Sequence, residues 1–552
     1  MTKRSLPLRI PVRVLLIAIL CLAWLLPGLV GHDPWKPDEA YTFGAVYEIL
    51  RGGSWVVPQI AGEPFIDKPP FFYLSAAVSA RLFSLLLPLH DAARLVAGFY
   101  IGLALLFTAL ASRELHGERH GLTAALLLLG CLGLVVRSHQ LIADVAALGG
   151  FAMAYYGVAL AGRRAALGGF WLGTACGLVF MTMGIPEAVM IVVIAAALPL
   201  FSRQWRTPQF AVTLVFALIA SLPWLAIWPL LLLQREPVLF VTWLANENLA
   251  RFFDLRNLPQ GIGYYLRILP WYAFPAWPIA LWALWRARRM QQLATPGVVL
   301  PVLGFAASLM MLGGAAESRE LYALPMLIPL ALLAVPGIET LRRGAANGWY
   351  WFSVMTFTFF LAVGWFYWGA LELGVPARLH THLHTIRPGY DFGFRWLPYL
   401  LGLAYTAAWF TLLAKLPRNP ERPLIVWAAG LTAIWALLAT LFIGWLDTTK
   451  SYRSMIADMT RSMPSRFVCM ASRDLGDPQR AMLHYFAGIR SQRVEVVSRS
   501  GECDLLLTQG KPLDELQVPG EWKQVWEGHR PGDKDERFRL YQRSLEIKPA
   551  SP

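Results

Sequence analysis

The chain has 552 residues, 56% of them hydrophobic and only 15% charged, yet 49 Lys and Arg against 35 Asp and Glu leave a formal net charge of +14. A chain this apolar is neither disordered nor an ordinary soluble enzyme. Net charge alone would suit a nucleic-acid binder, so the placement of the positive residues decides between classes.

A helix needs about 20 mostly apolar residues to cross a bilayer. In chain order such stretches fall at 10–30, 91–112, 121–139, 144–161, 167–183, 185–201, 208–231, 263–285, 296–314, 322–340, 349–371, 397–414 and 424–446, which makes thirteen expected spans. The first follows Lys3, Arg4 and Arg9, but Ala23–Gly28 offers no small-x-small cleavage site, so it reads as a retained anchor.

Basic residues in short loops set orientation. With the N-terminus in the cytoplasm, the inner segments hold 18 basic residues and four acidic ones, and every inner loop carries at least two basic residues. The outer loops hold 14 basic and 16 acidic residues, and the tail from 447 holds 17 and 15. The whole excess therefore lies on the inner side, and a nucleic-acid partner is not expected.

Residues 31–90 form a long first outer loop. Two parts of it, 39–52 and 70–87, space their apolar residues as helices do. Counting 70–87 as a span would turn every later Arg pair outward, so both read as interfacial helices. Residues 447–552 contain the strand-like runs RFVCMAS, RVEVVS and CDLLLTQ and read as a small α/β domain on the outer side. The expected fold is thus an α-helical polytopic membrane protein, with residues 1–446 as the membrane domain. Cys21, Cys131 and Cys176 lie in spans as packing residues. Cys469 and Cys503 could pair in an oxidising compartment or stand unpaired in strands; the sequence leaves both open.

Ionisable residues gather at the outer ends of the spans. Asp38 and Glu39 open the first interfacial stretch; helix capping accounts for one carboxylate more readily than for two. Asp67 and Lys68 precede Pro69-Pro70, where a lysine could meet a phosphate or merely snorkel. Arg137 and Asp144 bracket the turn between spans three and four, and Asp144 alone would suit an N-cap. Glu317, Arg319, Glu320 and Tyr322 crowd the mouth of span ten. His380, His382 and His384, flanked by Arg378 and Arg387, lack carboxylates at metal-ligand spacing and read as a face toward lipid headgroups.

The run WKPDEAYTFGAVYEILRGGSWVVPQIAGEPFIDKPPFFYL, with RSHQLIADVAA and RELYALPMLIPLALL, resembles the GT-C class of integral-membrane glycosyltransferases. The nearest likeness is to the bacterial lipid A aminoarabinose transferase family, which is related to protein O-mannosyltransferases. That resemblance covers about residues 10–450 and implies the GT-C fold, a multi-pass position in the bacterial inner membrane and a periplasmic tail. It also implies an inverting enzyme with a polyprenyl-phosphate-linked sugar donor and a cell-envelope acceptor such as lipid A. By motif, Asp38 and Asp144 match the family's acidic catalytic positions, with Glu39 adjacent. Lys68 matches its donor-phosphate lysine, and Asp67 stands where relatives often carry Glu. Tyr322 matches the tyrosine of the late outer motif, with Arg319 and Arg137 as added substrate-binding candidates. A Lys-Gly-Pro turn of many relatives reads Met183-Gly184-Ile185-Pro186 here, which removes a cation; the Leu-Asp before span four reads Ala143-Asp144. A divalent cation is the one cofactor for which this reading leaves room. Two alternatives stand beside it: a donor carrying mannose or another hexose for protein or glycan acceptors, and a transporter of lipid or solute, although transporters place their charges near the midplane.

Overall fold

The computed structural model describes residues 12–250, 254–386, 393–496, 503–513, 522–531, 533 and 535–543. Lys3, Arg4, Arg9 and Arg387, which entered the sequence reading, lie outside the described residues.

Nine helices among the described residues are long and apolar enough to cross a membrane: Leu89–His116, Ala143–Leu160, Ala165–Met183, Pro208–Arg235, Pro296–Gly313, Glu320–Thr340, Arg343–Glu372, Trp396–Lys415 and Arg422–Leu441. They coincide with nine of the thirteen expected spans. Only 17% of the most apolar window of Pro208–Arg235, and 11% of that of Trp396–Lys415, is covered by protein. Such bare apolar faces suit lipid as the neighbouring medium. In contrast, 89% of Ala143–Leu160 is covered, so this helix runs through the centre of the bundle.

The other four expected spans are helical but shorter or interrupted. Val12–Leu25 and Ile185–Phe201 are short apolar helices. The stretch 121–139 divides into Gly121–Leu129 and Leu132–Arg137, and 263–285 divides between Leu258–Tyr272 and Ala276–Arg289. The two breaks support each other. The Leu132 N–H donates to Phe274 O at 3.2 Å, and Trp427 Nε1–H donates to Gly130 O at 2.9 Å. Backbone groups released from a helix deep in an apolar bundle must find partners within the protein. An apolar run on its own carries no sign of such a break.

Both stretches expected as interfacial helices are helical, as Asp38–Leu50 and Phe71–Phe83. A small antiparallel pair, Gln59–Ile60 with Glu63–Pro64, lies between them.

Beyond the last long helix, a five-stranded mixed sheet forms. Strand Met470–Arg473 pairs in parallel with Ser491–Arg493 and Leu505–Gly510, and helix Asp477–Ala487 makes the crossover. Leu505–Gly510 then pairs antiparallel with Arg537–Arg543, which pairs antiparallel with Trp522–Gly528. Cys469 and Cys503 are joined by a disulfide. Of the three strand-like runs, RFVCMAS and CDLLLTQ map onto strands; RVEVVS meets strand Ser491–Arg493 only at Arg493 and continues as a turn over 494–496, with Val497 and Ser498 outside the described residues.

The sheet region is fastened to the first outer loop. A Cβ placed on Gly44 would stand 2.4 Å from Ala481 Cβ, so helices Asp38–Leu50 and Asp477–Ala487 approach at the limit that glycine permits. Ion pairs ring this contact. Arg490 reaches Glu48 at 3.0 Å, Arg480 reaches Glu63 at 2.8 Å, and Lys36 reaches Asp533 and Glu536 at 3.0 and 2.9 Å. Arg453 Nε donates to Asp33 at 2.8 Å.

Candidate functional site

The ends of four elements converge on one cavity. Helix Asp38–Leu50 follows Pro37 and carries Asp38 and Glu39 in its first turn. The turn before helix Phe71–Phe83 presents Asp67 and Lys68, and Pro69-Pro70 stiffens it. Asp144 lies in the first turn of helix Ala143–Leu160. Arg319 precedes the short 3₁₀ turn Glu320–Ala323 that holds Tyr322.

Folding pairs the charges of these elements. Lys68 Nζ donates to Asp144 Oδ2 at 3.0 Å, with both side chains largely buried. Burial works against the Lys68 ammonium, but the Asp144 and Asp67 carboxylates outweigh it and hold its pKa above the ordinary lysine value. Arg319 Nη2 donates to Asp38 at 3.0 and 3.3 Å, while the Tyr41 hydroxyl donates to Asp38 at 3.2 Å. Burial pushes the Tyr41 phenol well above its ordinary value, and Asp38, Asp144 and Asp67 add to the shift, so it stays a donor at neutral pH. The Arg319 guanidinium lies over the Tyr322 ring, 5.7 Å from its centre.

Between these pairs lie two adjoining lobes. The larger, of about 430 Å³, includes Tyr41, Asp67, Lys68, Arg319 and Tyr322 in its wall, and Asp477 and Pro478 of the sheet region close one side. The smaller, of about 150 Å³, shares Asp67, Lys68 and Tyr322 and is floored by apolar residues such as Met190, Met311 and Leu312. Both lobes are charged, with Lys68 and carboxylates in each wall, and the smaller adds an apolar floor, as an amphiphilic ligand would require.

Two of the sequence candidates stand elsewhere. Glu39 is fully buried and turned away from both lobes. Its Oε1 accepts from Arg94 Nε at 2.8 Å and the Leu141 N–H at 2.8 Å, and its Oε2 accepts from the Trp35 N–H at 3.2 Å. Burial alone would raise its pKa, but Arg94 and His32 outweigh it and hold the carboxyl below its usual value. This geometry gives Glu39 a structural task in place of the catalytic one expected from its neighbour. Arg137 bonds Gln140 Oε1 at 3.1 Å and approaches Glu320 at 3.9 Å, and it lines neither lobe.

The sequence reading missed Tyr41, Glu187 and Glu247. Tyr41 stands one helical turn after Asp38, a spacing that places it on the same face. Glu187 is a single carboxylate at the start of an apolar run, a visible signal. Glu247 lies in a π-helical stretch, Trp243–Leu249, which no periodicity marks. Among the described residues no three His, Cys, Asp or Glu gather as a metal-binding group. Asp38 and Asp144 are each paired with a cation, and no chemical step is assigned to a metal.

No family model matches the chain. An undecaprenyl phosphate-alpha-4-amino-4-deoxy-L-arabinose arabinosyl transferase of Pseudomonas fluorescens is 28% identical over 354 residues, 60% of this chain and 61% of that relative. A transferase of the same name from Sodalis glossinidius is 32% identical over 58% of this chain and 57% of its own length. The chain thus spans about three fifths of the length of these curated relatives. Over nearly its whole length it has the fold of ArnT from Cupriavidus metallidurans, solved bound to undecaprenyl phosphate: the TM-score is 0.69 at 16% identity, covering 96% of this chain and 97% of that one. The same protein in its apo state gives 0.68.

Proposed function

We propose that this chain transfers 4-amino-4-deoxy-L-arabinose from an undecaprenyl-phosphate-linked donor to lipid A. The observation that carries the reading is the pair of ion pairs, Lys68–Asp144 and Arg319–Asp38, beside a cavity whose smaller lobe joins charged groups to an apolar floor of Met190, Met311 and Leu312. A lipid-phosphate donor needs cations at the membrane surface and an apolar bed beneath them. The names of the curated relatives and the ArnT fold point to the same donor.

In this reading the donor phosphate competes with Asp144 for Lys68 and with Asp38 for Arg319. An oxygen of the acceptor attacks C1 of the sugar, the bond from C1 to the lipid-phosphate oxygen breaks, and the electron pair leaves with that oxygen. Configuration at C1 inverts. Lys68, Arg319 and the Tyr322 hydroxyl stabilise the departing phosphate. A phosphate acceptor on lipid A is already anionic and needs no base. The released carboxylates then orient donor and acceptor through the sugar's hydroxyls. A hydroxyl acceptor would instead give its proton to Asp38, or failing that to Asp144.

The layout that goes with this activity has thirteen spans, with the four shorter or broken helical stretches joining the nine long helices. The N-terminus is cytoplasmic, the protein lies in the bacterial inner membrane, and residues 447–552 form a periplasmic domain. The loop charges support that orientation.

Purified protein incubated with synthetic undecaprenyl-phosphate-aminoarabinose and lipid A tests the reading. Mass spectrometry should find lipid A carrying the pentosamine. Transfer from a mannose or other hexose donor, with none from the pentosamine donor, would replace the sugar. A protein that binds no undecaprenyl phosphate would overturn the reading altogether.

A further inference from the structure

Asp38 is held by two side chains that differ in their freedom to move. Arg319 Nη2 donates to its Oδ1 at 3.0 Å and to its Oδ2 at 3.3 Å, and the Tyr41 hydroxyl donates to Oδ1 at 3.2 Å. Arg319 reaches in from a distant element, the stretch before the 3₁₀ turn Glu320–Ala323, and its side chain is 40% exposed. Tyr41 stands on the same helix as Asp38, three residues on, so their contact lies within one helical turn.

That helix is itself well anchored. Beside Asp38, Glu39 accepts from the buried Arg94 guanidinium and the Leu141 N–H. Further along, Gly44 lies against Ala481 too closely for a Cβ. The Tyr41 ring packs against Phe65, with ring centres 5.6 Å apart. The Tyr41–Asp38 bond therefore does not depend on the segment that carries Arg319.

In this state Tyr41 and Arg319, not Asp38, stand in the wall of the larger lobe. A donor phosphate that draws Arg319 away uncovers the carboxylate and takes its counter-ion. Asp38 is only 6% exposed, so water replaces that partner poorly, and a buried carboxylate without donors is costly. Among the described residues, Tyr41 is then the donor that remains. Its phenol stays protonated at neutral pH because burial, and then the nearby carboxylates, raise its pKa. A phenol has one hydrogen to give. It goes to Oδ1, which leaves Oδ2 free for a sugar hydroxyl or an acceptor proton.

We infer that Tyr41 is a positioning residue for Asp38, holding its carboxylate in the working orientation once the donor phosphate has taken Arg319. This inference rests on the donor reading above and adds the group that keeps Asp38 in place through the reaction.

Tyr41→Phe removes the hydroxyl and keeps the ring against Phe65. In nanodiscs, the full-length variant should bind undecaprenyl phosphate within about twofold of wild type, yet turn over at least about tenfold more slowly at saturating donor and acceptor. Added to Asp38→Asn, the same substitution should cost no more than about a further twofold, because the group it serves is already gone. Normal turnover in Tyr41→Phe, a matching loss of lipid binding, or an undiminished loss on top of Asp38→Asn would each overturn the inference. A Tyr41→Phe protein that does not fold would make the hydroxyl structural and overturn it as well. Wild type that neither binds undecaprenyl phosphate nor transfers the pentosamine would instead overturn the donor reading.

Discussion

Lys68 and Asp144 stand 76 positions apart in the chain, yet Nζ and Oδ2 meet at 3.0 Å with the two side chains 13% and 6% exposed. Each is therefore the counter-ion that allows the other to be buried. A ligand anion that takes the lysine must also leave Asp144 somewhere favourable to go, and the adjacent cavity supplies that place.

Lys68→Ala should reduce transfer by about 100-fold or more, because it removes a charge aimed at the leaving phosphate. It should also destabilise the fold by about 3 kcal/mol, since Asp144 remains buried without its cation. The double variant Lys68→Ala/Asp144→Asn should regain most of that stability and none of the transfer. Thermal unfolding in detergent and a transfer assay, run on the same preparations, separate the two effects.

Asp38→Asn is expected to behave differently. Its partner Arg319 is 40% exposed and can be solvated when the carboxylate is gone, so the unfolding temperature should move little. Transfer should nevertheless fall by about 100-fold, while binding of undecaprenyl phosphate stays or tightens as Arg319 is released. Equal losses of binding and turnover would assign Asp38 a purely structural role.

Glu39→Gln should show the reverse pattern. Arg94 is fully buried and is left with Asp91, at 2.7 Å, as its one carboxylate partner among the described residues. Breaking a buried pair costs about 3–5 kcal/mol. The amount of folded protein in membranes should drop sharply, while turnover per folded molecule stays within about twofold of wild type. A large loss of turnover at normal stability would return Glu39 to the chemistry.

Asp447 gives a pH prediction. Its Oδ1 accepts from Trp35 Nε1–H at 2.8 Å and the Asp33 N–H at 3.0 Å. Burial, and then the Asp33 carboxylate, push its pKa up to about 6 from 3.8. A carboxyl raised in the folded state favours folding when protonated, so stability falls as pH rises from about 4 to 6 and then levels off. Asp447→Asn keeps an accepting oxygen without the charge. It should be more stable than wild type near pH 7.5 by on the order of 1–3 kcal/mol, with the gap closing toward pH 4. Unfolding followed across that range checks the sign, and a gap independent of pH would refute it.

Much of this was legible in the sequence because membrane insertion imposes a coarse code. Apolar runs marked the nine long helices, and motif positions marked Asp38, Lys68, Asp144 and Tyr322. The pairing of these residues was not legible. Which carboxylate meets which cation depends on side-chain reach across four elements, and neighbours such as Asp38 and Glu39 diverge because a helix turns about 100° per residue. The breaks near Gly130 and Ala273 were hidden because each is stabilised by the other, far along the chain. Strands Trp522–Gly528 and Arg537–Arg543 escaped notice because charged residues interrupt their apolar ones. Glu187 was not legible as a site residue because a single carboxylate in the first turn of an apolar helix also serves the helix dipole.

The close contact between Gly44 and Ala481 has a practical consequence for anyone wishing to shorten or recombine this protein. The sheet region is not cargo on a self-sufficient membrane unit. A version ending before residue 447 would bare Asp33, Glu48 and Glu63 without their arginines and remove Asp477 and Pro478 from the cavity wall. Chimeras with relatives should therefore exchange residues 31–90 and the tail together, as one heritable module, with the crossover placed inside the helical bundle.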